Sequence, residues 1–107
     1  MSKKKIEEMA EEIDGIKKEL TELGEMRPGS LSKQYRKPKE KVGAYYQLSY
    51  MHKMKSRTDY VRPQFLERTR GQVDTYKQFK KLTERWVELG IAHAKLTVEM
   101  AKKERGK

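Results

Sequence analysis

The chain of 107 residues has no cysteine. Disulfides, thiolate metal sites and cysteine nucleophiles are excluded, and a reducing cytoplasm is the expected compartment. Histidine occurs twice and tryptophan once. No apolar run approaches the roughly 18 residues of a membrane span. The opening MSKKKIEEMAEEI is basic without the apolar stretch of a secretory signal. No glycine-rich phosphate loop, Ser-His-Asp set or His-Glu-x-x-His spacing is present. The expectation is a protein that is not an enzyme, with no cofactor, metal, small-molecule substrate or membrane partner.

Apolar content is also low. Hydrophobic residues make up 35% of the chain and charged residues 39%, with a mean hydropathy of -1.08. A large globular core is thereby disfavoured, and long amphipathic helices around a small sheet suit this composition better. Trp86, six tyrosines and clear periodicity argue against wholesale disorder.

Positive charge is what the chain does have. The net charge is +10, distributed as -3 over residues 1–26, +8 over 27–62 and +5 over 63–107. A basic excess concentrated in the middle third attracts polyanions through counterion release.

The pattern predicts one domain in three segments. Residues 1–26 form a heptad helix: Ile6, Met9, Ile13, Ile16, Leu20 and Leu23 recur at alternating spacings of three and four. Glu7, Glu8, Glu11 and Glu12 suit the positive end of its dipole, and read as a solvated face rather than an acid/base pair. Gly24 and Arg27-Pro28-Gly29 stop it. Residues 27–62 form a basic three-stranded sheet with strands at 30–36, 44–52 and 55–61. A basic loop covers 37–43, and a short turn falls at Lys53-Met54. Those two residues are poor formers of a type I′ turn, which leaves the hairpin register open by one. Residues 63–105 form a long helix with Pro63 in its first turn. Its seam is Phe79, Leu82, Trp86, Leu89, His93, Leu96 and Met100. His93 there reads as a register-fixing residue, and His52 as solvated or a phosphate contact.

The expected fold is thus α+β: an N-terminal helix, a small three-stranded antiparallel sheet, and a long C-terminal helix pairing with the first as an antiparallel coiled coil. If both helices start level at the sheet, the second overhangs by roughly 30 Å. Its distal seam, His93, Leu96 and Met100, would then be uncovered, which predicts a homodimer. A break at Gly90 that folds the tail back is the alternative.

Four segments, RPGSLSKQYRK, GAYYQLSY, KSRTDYVRP and VDTYKQFKKLTERWVELGIAHAKL, resemble a family of small prokaryotic proteins of unknown function. Its members are often encoded near transposons and other mobile elements. That family has an Arg-x-Gly-Ser-like segment, then His-Gly-Pro-Tyr-Tyr-x-Leu-Ser, a Gly-Lys hairpin turn, Tyr-Val-Pro and a long helix. Many members carry a cysteine-rich segment where this chain has RKPKEKVGAYY, so a metal role does not carry over. The family's His-Gly-Pro is Val42-Gly43-Ala44 here, and its Gly-Lys is Met54-Lys55. The resemblance implies the same order of strands and helix and assigns no activity.

With a two-residue turn at Lys53-Met54, Tyr46, Leu48, Tyr50 and His52 share a face with Lys55, Arg57, Asp59 and Val61. Tyr45, Gln47, Ser49 and Met51 share the other with Ser56, Thr58 and Tyr60. Neither face is wholly apolar, so one is expected to be wet. Tyr46, Tyr50 and Tyr60 read mainly as scaffold. Gln47, Lys53, Lys55 and Arg57 are the candidate base-reading residues, and Arg36, Lys37, Lys39 and Lys41 the candidate phosphate contacts. The expected partner is nucleic acid, DNA in preference to RNA, with a nucleoid location if DNA. Alternatives are a coiled-coil protein-interaction adaptor and an RNA- or ribosome-associated protein, since tyrosines also stack on unpaired bases.

Overall fold

A computed structural model describes residues 2–105. The element order is α1 (Ser2–Glu22), β1 (Ser30–Lys37), β2 (Val42–His52), β3 (Lys55–Val61), a 3-10 turn (Pro63–Phe65) and α2 (Leu66–Arg105). The layout is α+β as the pattern predicts. The chain divides into two compact units, one of residues 24–78 and one combining 2–23 with 79–105.

The sheet unit holds all three strands and the first turns of α2. Strand order is β1-β2-β3 and both pairings are antiparallel. Leu31 faces Leu48, and Leu48 faces Asp59 across the other ladder. Residues paired directly across a ladder point to the same side. Leu31, Tyr46, Leu48, Tyr50 and Val61 therefore share one face, and this face meets α2. Leu48 is fully buried with Val61 and Val73, and Leu31, Tyr46, Tyr50 and Leu66 pack around them. A cluster this small follows from the low apolar content.

Gly29 sets the entry into β1. Its φ is +133, and a Cβ there would stand 2.7 Å from the Ser49 carbonyl oxygen and 2.9 Å from Leu48 Cδ1. Only glycine permits this approach. The expected turn at Lys53-Met54 is present and has two residues, because His52 pairs with Lys55. Both turn residues have positive φ, 51 and 65, the type I′ pattern on side chains that disfavour it.

In the helical unit α1 packs against the distal part of α2. Ile16 and Leu89 are buried. Ile6, Met9, Ile13 and Leu20 on α1, Leu23 just beyond its end, and Leu82, Trp86, His93, Leu96 and Met100 on α2 are half-buried. Arg85 on α2 donates from Nε to Glu12 on α1 at 2.7 Å, and the Lys17 ammonium lies 5.5 Å from the Trp86 ring centre. Both heptad seams thus find a partner within one chain.

Three expectations are corrected. The first turns of α2 belong to the sheet unit and only the remainder belongs to the helical unit with α1, and there His93, Leu96 and Met100 are half-buried rather than uncovered. Helix α2 runs through Gly71 and Gly90 unbroken. The α1 glutamates do not occupy its first turn, which holds no acidic residue. They lie a turn or more further in, and Lys3, Lys4 and Lys5 precede them.

Candidate nucleic-acid interface

The stagger of the strands shapes the site. β1 pairs with β2 over 42–49 and β3 pairs with it over 46–52. Three strands lie side by side only at 46–49 of β2. Beyond that centre the sheet continues as two-stranded ribbons in opposite directions. One ends in the 38–41 turn and the other in Lys53-Met54. With a rise of about 3.4 Å per residue, β2 places the two tips about 34 Å apart.

The basic candidates gather at these tips. Arg36, Lys37, Lys39 and Lys41 lie at the first, and Lys53, Lys55 and Arg57 at the second, and every one is exposed. Arg36, Lys37, Lys39, Lys41, Lys53 and Lys55 have no ion-pair partner among the described residues. Gln47 sits between the tips on the central strand and is half-buried.

The eight candidates do not form one surface. Arg36 and Gln47 point to the face away from α2. Lys37, Lys55 and Arg57 point to the same side as Leu48, beyond the part that α2 covers. Lys39, Lys41 and Lys53 are turn residues. Arg57 also lies near Asp59. The Asp59 carboxyl is held below its ordinary value by a hydrogen bond from Arg27, at 2.9 Å, with partial burial opposing and Tyr50, Arg27 and Arg57 assisting. Arg27 further lies 5.1 Å from the Tyr50 ring centre. Arg57 is thus partly committed to the fold, whereas the other basic residues are not.

The open face carries Ser30, Ser32, Gln34 and Arg36 from β1, Tyr45, Gln47, Ser49 and Met51 from β2, and Ser56, Thr58 and Tyr60 from β3. It has no acidic residue, and most of it is short hydroxyl and amide side chains. Gly43 lies opposite Arg36, and a Cβ there would stand 3.1 Å from Arg36 Cβ. Its absence leaves room for the arginine across the strand. Tyr60 is 57% exposed and pairs with Tyr45 at 6.3 Å between ring centres. The expectation that Tyr60 is scaffold is corrected: register turns it outward, while Tyr46 and Tyr50 join the core.

Several residues of this surface escape the sequence reading. Gln34 and Tyr45 are neighbours of Gln47 once the β1–β2 register is known, and the period-2 alternation of SLSKQYR already put Gln34 with Ser32. A cleft of about 380 Å³ at the β3 edge is lined by Arg27, Tyr60, Arg62, Phe65, Arg68 and Gln72. Arg27 is bound to Asp59 and Arg68 to Glu25, so Arg62 is its uncommitted cation. Nothing in the local pattern marks this cleft, because it joins residues more than thirty positions apart.

Among the described residues no group of histidine, aspartate and glutamate could hold a metal ion, and no helix is long and apolar enough to cross a membrane. No family model, curated protein or solved structure matches this chain, so the resemblance to the mobile-element-associated family rests on the quoted motifs alone.

Proposed function

We propose that this protein is a non-enzymatic nucleic-acid-binding module that engages duplex DNA through the open face of its sheet and its two basic tips. The observation that carries this reading is the placement of unpaired cations at both ends of β2, with an acid-free polar face between them. A two-stranded ribbon fits the major groove, which is about 12 Å wide. The tip separation of about 34 Å matches one turn of B-form duplex. Lysines and arginines at the tips contact phosphates and set the register. Gln34, Gln47 and Arg36 face base edges, where amides suit adenine and guanidinium suits guanine. Ser and Thr between them let the backbone approach.

Gel shifts at rising salt test this, using duplex DNA, single strands and structured RNA. Duplex binding weakens steeply with salt, because each neutralised phosphate releases a counterion. Reversing either tip, Lys39→Glu with Lys41→Glu or Lys53→Glu with Lys55→Glu, weakens binding on the order of tenfold or more and flattens the salt slope. Retention of full affinity by both tip variants would sink the proposal.

The Tyr45–Tyr60 pair favours a second reading. Exposed aromatics on an open sheet stack on unpaired bases, at about 1–3 kcal/mol per base. Single strands or RNA outcompeting duplex, with Tyr60→Ala causing the larger loss, would select it.

A further inference from the structure

Helix α2 carries a second heptad stripe that α1 does not use. Val87, Ile91, Ala94, Val98 and Ala101 recur at spacings of four, three, four and three. At about 100° per residue they fall within a band about 80° wide. This band is centred well away from the seam of Leu82, Trp86, Leu89, His93, Leu96 and Met100. Val87 is 60% exposed, and Ile91 and Val98 are each 53% exposed. Ala94 and Ala101 are exposed as well. Large β-branched side chains on a solvated helix face lower helix propensity and leave apolar area in water, which is a cost without a partner.

The charges beside the stripe identify the partner. Glu84 and Glu88 border Val87, and Lys95 and Lys102 border Val98. The stripe is therefore acidic along its first half and basic along its second. Glu88 is 68% exposed and reaches Arg85 only at 3.5 Å, so it is available. Glu99 also lies beside Val98 and offsets part of the basic charge there. Glu84, Glu88, Lys95 and Lys102 lie on one flank of the stripe, which a parallel, in-register copy would place on opposite sides of the pair, leaving the charges unmatched. An antiparallel copy brings the two flanks together head to tail and sets glutamate beside lysine.

We propose that a second copy of this chain docks antiparallel on this stripe and forms a symmetric dimer. Val87 then lies over Val98 of the second copy, and Ile91 over its Ala94. The small alanines at alternate layers let the two helices approach closely. Glu84 comes beside Lys102 and Glu88 beside Lys95, and the two-fold axis repeats each pair. The stripe lies wholly in the helical unit. The dimer predicted from an overhanging His93–Leu96–Met100 seam is thereby replaced by one built on the opposite side of α2.

Sedimentation velocity of the full chain, from about 1 to 200 μM, reads the self-association. The expected result is a monomer–dimer equilibrium that weakens with added salt. Ile91→Glu with Val98→Glu, both at exposed positions, gives a monomer with unchanged helical circular dichroism. Glu84→Lys with Glu88→Lys weakens the dimer about tenfold or more, and adding Lys95→Glu with Lys102→Glu restores it. The absence of native cysteine allows a direct reading of direction. An oxidised mixture of Val87→Cys and Val98→Cys chains cross-links between the two variants. Either variant alone does not, because its thiols are offset by about 16 Å. A monomer at every concentration, indifference to the charge swap, or efficient cross-linking of Val87→Cys with itself overturns the proposal.

Discussion

Residues 24–78, the sheet unit, and the rest of the sequence carry thirteen lysines and arginines each, but the first has five acidic residues where the second has eleven. In the helical unit the charges interleave with apolar seams and largely neutralise one another. In the sheet unit three of the five acids, Glu25, Asp59 and Glu67, are held by Arg68, Arg27 and Arg70, and Glu40 is the one acid in the 38–41 turn. Of the ten remaining cations, seven fall at the ribbon tips. The same number of basic residues thus makes a solvated, pairable surface in one unit and a polyanion-seeking one in the other. What differs is the acid count and the fold that segregates it, since strand ends collect turn residues whereas helix faces distribute them.

The units also differ in how their cores are built, and mutation can sharpen that difference. The largest effect is expected at Leu48, the one fully buried large side chain among the described residues. Leu48→Ala removes the centre of a three-residue cluster and costs about 2–5 kcal/mol. Urea unfolding followed by circular dichroism measures it. Trp86, the single tryptophan, reports by fluorescence on the helical unit. A fluorescence midpoint that falls as far as the dichroism midpoint would show that α2, common to both units, makes them one cooperative structure.

Gly29→Ala comes next. Strain at positive φ and the clash with the Ser49 carbonyl together are expected to cost about 2–3 kcal/mol. The loss belongs to the sheet unit, so Gly24→Ala, where a Cβ meets nothing within 4 Å, is the control. Equal losses for the two variants would remove the claim that close approach matters.

Met54→Gly works in the other direction. Met54 is 94% exposed with φ of 65, so glycine relieves a left-handed side chain at no packing cost. A gain of about 1 kcal/mol is expected. An unchanged or lower denaturation midpoint would mean that the turn is not strained.

The smallest effect is acid sensitivity. Glu12 is held below its ordinary value of 4.5 by hydrogen bonds from Arg85, and Glu25 by those from Arg68 and then Gln72. Asp59 is held below 3.8. A lowered folded value means stability that is present above the ordinary value and lost as pH falls through the folded one. Melting temperature is therefore expected to be level above about pH 5 and to decline below about pH 4. All three pairs are substantially exposed, so the decline is shallow. Glu12→Gln removes the helical unit's share and Glu25→Gln part of the sheet unit's. A steep collapse above pH 5 would contradict this assignment.

Much of the architecture is readable in local pattern. Alternation in KSRTDYV and AYYQLSYMH placed two strands and their faces, and spacings of three and four placed both helices. Lys53-Met54 could be named as a turn, although its chemistry left the register open. The site was less readable. Its cations were named as candidate contacts and are exposed, but their division between two faces and two tips depends on the pairing of Tyr35 with Ala44 and of His52 with Lys55. The Val87–Ala101 stripe was written at the same spacing as the seam beside it. Two stripes on one helix compete for attention, and only packing shows which of them α1 takes.

Residue periodicity by itself determined the element types, their order and the alternation of sides, because side-chain direction follows backbone geometry one turn or one residue at a time. It also determined the imbalance of charge along the chain. Tertiary structure alone decided which length of α2 the sheet takes and which α1 takes, which sheet face is left open, and how stagger separates the cations into two tips. Those outcomes depend on partners distant in sequence, and a local pattern specifies that a face must be buried without specifying against what.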